Sequence, residues 1–154
     1  MKAKDSEIYL SLAKMVADIL PTAPVFLKGM ANPSVAGKDE WASFELLYSI
    51  PMNIRKNAQG RKIAVQISTY SAHAEHRADK KINRIYELGD IYKDVFHQQD
   101  IQIKSSCIQF KESIIKYIDL RSLSDFSKQI YQNSPPLHLM SSVIITEGII
   151  IDKE

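Results

Sequence analysis

The sequence predicts an α+β fold: a mostly antiparallel sheet with a long hairpin arm, packed against an N-terminal helix and a long central helix. Three observations carry this expectation. Apolar residues recur at helical spacing in 5–20 and 72–97. They alternate with polar residues in 42–50 and 61–70, the period of a strand with one buried face. The helices stand around consecutive strands instead of alternating with them, which separates α+β from α/β.

In 5–20, Ile8, Leu12, Met15, Val16 and Ile19 fall three and four apart and line one face. Asp5 or Ser6 is placed to accept a bond from the first free N–H groups, and Pro21 stops the helix by removing a donor. Residues 24–29 read as a short extended piece, followed by a polar connection with Asn32, Pro33 and Gly37. The clearest strands come next. Phe44, Leu46, Tyr48 and Ile50 alternate with Ser43, Glu45 and Ser49, and Ile63, Val65, Ile67 and Thr69 alternate with Lys62, Gln66 and Ser68. Between them Asn57 and Gly60 take positive φ cheaply, so 51–62 reads as a hairpin arm with a basic tip.

The best helix is 72–97. Ala78, Ile82, Ile85, Gly89, Tyr92 and Phe96 form its apolar stripe, and Asp79, Lys80, Asn83, Arg84, Glu87, Asp90 and Asp94 its polar side. Gly89 within the stripe costs about 1 kcal/mol of helix propensity against alanine. A close approach of the helix to the sheet explains its presence. After the helix, Ile101 and Ile103 open a strand, but Ile108 and Phe110 fall on the other parity. A bulge near 104–106, or a break between two short strands, accounts for the slip.

Residues 113–120 fit either strand or helix. Ser122 or Ser124 can cap a short helix through Asp125, Phe126, Ile130 and Tyr131, ending before Pro135 and Pro136. The final extended segment sets Leu137, Leu139, Val143 and Ile145 against His138, Ser142 and Thr146. Ile149, Ile150 and Ile151 follow a break at Gly148. They either extend the last strand into the core, the favoured reading, or pair with a neighbouring subunit, because exposed they would cost about 25 cal/mol per Å².

A length of 154 residues suits a single domain with one core, 1–154. The apolar share of 45% and charged share of 25% exclude a disordered chain. A net charge of +2 is far from the field of a protein that coats DNA, so nucleic acid is permitted but not implied. Cys107 is the single cysteine, which excludes an intrachain disulfide and fits a reducing compartment. The start of the chain turns acidic at Asp5 and Glu7 before any apolar run, unlike a signal peptide. No apolar run approaches the roughly 20 residues that span a bilayer, so no membrane partner is expected.

With five glycines, neither a phosphate-binding loop nor a dinucleotide fingerprint can be written, and no serine has a nucleophile context. The expectation is a non-enzyme with no catalytic residues, no cofactor and no metal. His73 and His76, with Glu75 between them, are the one metal-like pair, placed on the first turn of the predicted helix. No third ligand completes them in sequence, and solvated histidines are the plainer reading. His97 suits the negative end of the same helix. Cys107 reads as a small half-buried strand residue, not a nucleophile. The basic tip is the most informative polar feature. Arg55, Lys56, Arg61 and Lys62, with Asn57, fit a docking arm for an acidic protein surface, phosphate contacts of a small nucleic-acid-binding domain, or a solvated hairpin. Trp41 serves either as an interface anchor or as a cover for the edge of the core.

The order of these elements resembles the tail terminator (tail completion) proteins of long-tailed bacteriophages. The likeness rests on the helix 5–20, the hairpin 44–70 with its arm, the amphipathic helix 72–97 and the closing strand 141–146. It implies a small α+β subunit of a hexameric ring at the head-proximal end of the tail tube. Such a ring halts tube polymerisation and offers its other face to the head connector. The implied partners are further copies of the chain, the tail tube protein and the head connector protein. The implied location is the virion tail, with assembly in the host cytoplasm. Residues 113–136 depart from the short members of that family and look like an insertion beside them, and a head-completion or connector protein is a close neighbour of the same reading.

Overall fold

The computed structural model describes residues 2–20, 23–27, 40–55, 58–74, 83–119 and 137–152. Its elements are α1 (Asp5–Ile19), β1 (Val25–Leu27), β2 (Glu40–Arg55), β3 (Ala58–Ala74), α2 (Arg84–Phe96), β4 (Asp100–Ile103), β5 (Ser106–Asp119) and β6 (Leu137–Asp152). The strands form one six-stranded sheet in the order β1-β2-β3-β6-β5-β4. All neighbours are antiparallel except β1, which runs parallel to β2. The predicted α+β class, with its hairpin and its N-terminal and central helices, holds.

The apolar stripes explain the layering. Ile8, Leu12, Ala13 and Val16 of α1 and Ile85, Leu88, Tyr92 and Phe96 of α2 are buried against the sheet. The two helices also touch each other, so both cover the same face, here the inner one. Phe96 joins the sheet's two halves, its ring 6.3 Å from Phe44 and 4.9 Å from Phe110. Helix α1 begins after Lys4, not at a capping Asp5 or Ser6. The Lys4 N–H donates to Glu7 Oε1 at 3.1 Å, and the Glu7 carboxylate also pairs with Lys104 in the β4–β5 turn. Ile19, expected on the buried face, is 38% exposed, and Pro21 lies outside the described residues.

Several strand expectations are corrected. Strand β3 continues to Ala74, so the central helix does not start at 72. Its ladder with β6 runs to Ala74↔Leu137 and places His73 opposite His138, in a strand and not on a helical turn. Residues 75–82, with Glu75, His76, Ala78 and Ile82, lie outside the described residues. The ambiguous 113–119 is strand, the second half of β5. The expected short helix after Ser122 falls outside the described residues. The parity slip after Ile103 is a break: Lys104, at φ 53°, and Ser105 turn β4 into β5.

Strand β2 changes face partway along. Its register skips from Leu46↔Val65 to Tyr48↔Ala64, a bulge that turns Tyr48 and Ile50 away from the helices. They therefore do not share the buried side of Phe44. In β6 the apolar set is the outward one. Met140, Ser142, Ile144, Thr146, Gly148 and Ile150 are buried, whereas Val143, Ile145 and Ile149 are only half-buried on the outer face. The inner face of β6 is small because α2 lies close over it. A Cβ on Gly89 would sit 3.2 Å from Tyr117 Oη and 3.6 Å from Ser142 Cβ, the close approach that the glycine anticipated. Its buried hydroxyls find partners across the strands: Ser142 with Thr69, and Thr146 with Ser113 at 2.7 Å.

Gly148 is not a break. It sits inside β6 opposite Phe110, and Ile150 beyond it is fully buried, so the isoleucine run does extend the last strand into the core. His97 caps the end of α2, but its Nδ1 accepts the Ser113 N–H at 2.9 Å. That bond anchors the β5 bulge between Phe110 and Ser113 to the end of α2.

The two glycines respond differently to a methyl group. At Gly148 a Cβ would fall 2.8 Å from Phe110 Cδ1, a ring held in the core. Gly148→Ala is expected to destabilise by about 1–3 kcal/mol in urea unfolding. At Gly89 the helix-propensity gain of about 1 kcal/mol offsets contact with the half-exposed Tyr117. Gly89→Ala is therefore expected to lie closer to wild type.

Candidate functional site: the outer sheet face and its arm

Because both helices lie on the inner face, the registers can be followed across the outer one in rows. At the arm end, Met52, Gly60 and Ile151 lie side by side, then Ile50, Lys62 and Ile149. The next row is Tyr48, Ala64 and Glu147, followed by Gln66, Ile145 and Ile114. Trp41, Tyr70, Ser141 and Ile118 share a row towards the other end.

Two apolar patches result. The arm-end patch combines Ile50, 52% exposed, with Met52, Ile149 and Ile151. The second patch lies on β5 and β6, where Ile114 is 70% exposed beside Ile145. Together with Lys111, Glu112 and Glu147 these two isoleucines line a shallow groove of ≈ 400 Å³. The groove is open because the β5 bulge displaces the strand between Phe110 and Ser113.

A polar divider separates the patches. Tyr48 reaches across Ala64, and its hydroxyl donates to Glu147 Oε1 at 2.9 Å. Lys62 Nζ stands 3.8 Å from Glu147 Oε2. Burial, and then the neighbouring carboxylate, raise the Tyr48 phenol above its ordinary pKa, so it remains a donor through neutral pH.

The arm is fixed from the inner side. Arg61 Nη1 donates to Asp5 Oδ1 at 2.8 Å, and its Nη2 donates to the Ala3 carbonyl at 2.7 Å and to Asp152 Oδ1 at 2.9 Å. Ser106 Oγ donates to the same Asp152 oxygen at 2.6 Å while accepting the Ala3 N–H. One guanidinium thus ties β3 to the start of α1, the end of β6 and the segment before α1. Its side chain is only 13% exposed.

The predicted basic cluster is therefore divided. Arg61 is bound inside the fold, Lys62 stands on the outer face, and Arg55 is the last residue of β2. Lys56 and Asn57 lie outside the described residues. The ribbon is also shorter than the predicted 51–62 arm. Strand β6 accompanies β3 as far as Gly60↔Ile151, so β2 and β3 run without a third described strand only around 53–59. Trp41 is 5% exposed and stacks on Tyr70 with centroids 5.4 Å apart, the covering position and not a projecting anchor. Cys107 is half-buried in β5, as its sequence position suggests.

The residues that sequence reasoning missed are Ile114, Ile145 and Ile50. Ile114 falls in the ambiguous segment, and the other two had been set on a buried face. Their signal was an excess of apolar residues, more than one face of the sheet can bury. Among the described residues, no three of His, Cys, Asp and Glu gather as a metal site would require, and no helix is long and apolar enough to cross a membrane.

No family model matches the chain, and no curated protein matches it. Among solved structures, one protein whose name carries no functional word is similar at a TM-score of 0.47 and 13% identity, over 97% of this chain and 93% of that one. A likeness of that size carries no argument about function.

The division of the basic cluster is measurable. Arg61→Ala leaves Asp152 and Asp5 without their shared cation and is expected to cost about 3 kcal/mol in denaturant unfolding. Lys62→Ala, at an exposed pair, is expected to cost less than about 1 kcal/mol. Equal effects would mean that Arg61 is not the anchor of the arm.

Proposed function

We propose that this chain is a non-enzymatic virion assembly protein, a subunit of a ring that caps the head-proximal end of a phage tail tube. The ring ends tube polymerisation and joins the tube to the head connector. The observation that carries the reading is the outer sheet face. It holds two apolar patches opposite a core that is already complete on the inner side. Soluble monomers rarely leave large apolar surfaces uncovered, and such surfaces mark contacts with other proteins. The anchored end of the β2–β3 hairpin borders that face beside Ile50 and Met52.

A phosphate-binding role draws less support. It required Arg55, Lys56, Arg61 and Lys62 to act together, but Arg61 is committed to two carboxylates and Lys62 stands near a third. A head-completion or connector protein uses the same kind of surface, and only the partner distinguishes it.

Light scattering across a concentration series, with and without tail tube protein, tests the proposal. A closed species of several 17.5 kDa subunits, formed alone or on the tube protein, is the expected result. A protein that stays monomeric and binds no tube protein would overturn it.

A further inference from the structure

We draw no further inference here: the strongest candidate, the apolar surface of the outer sheet face around Ile50 and the Ile114–Ile145 groove, carries nothing because no observation in the structure shows what covers it.

Discussion

The strand that comes last in sequence lies in the middle of the sheet. Strand β6 pairs with β3 on one side and β5 on the other, so the β1–β2–β3 and β4–β5 halves are joined into one sheet by its backbone ladders. Its contacts are long-range by construction, and loop closure must be paid before any of them forms. What makes the insertion favourable is the shape of its inner edge. Small residues, Ser142, Thr146 and Gly148, let α2 and the Phe110 ring come close, and Ile144 and Ile150 fill the remaining core. The Arg61 network then fixes the far end, where Asp152 of β6 meets the start of α1. Strand, helix and arm are set by one another at that point.

The same strand explains how much of the fold was legible. Helix α1, the β2–β3 hairpin and the meaning of Gly89 could be read because each is encoded by local spacing. The faces of β6 could not. Its inner side intersperses Met140, Ile144 and Ile150 with hydroxyls and a glycine whose burial depends on Thr69, Ser113 and Phe110, residues far away in sequence. An alternation reading assigns the core to whichever side is greasier, and here the greasier side is the outward one. Tyr48 and Ile50 failed for a related reason, since a bulge preserves the look of alternation while reversing its faces.

The candidate site was less legible than the fold. The basic residues of 51–62 form a cluster in sequence, yet the structure uses Arg61 as an internal tie with its guanidinium between two carboxylates. Nothing in a local pattern marks which of four cations will find such partners, because Asp5 and Asp152 lie far from it along the chain. Ile114 and Ile145 become neighbours only through the β5–β6 register. Trp41, the most conspicuous single residue, is spent on covering Tyr70 and the sheet beneath.

The two faces of the sheet are built differently. The inner face carries both helices, the aromatic chain from Phe44 through Phe96 to Phe110, and the Arg61 anchor. The outer face carries patches whose loss leaves that core untouched. Between them the Tyr48–Glu147–Lys62 divider keeps the patches from merging into one continuous apolar surface, which would bind indiscriminately.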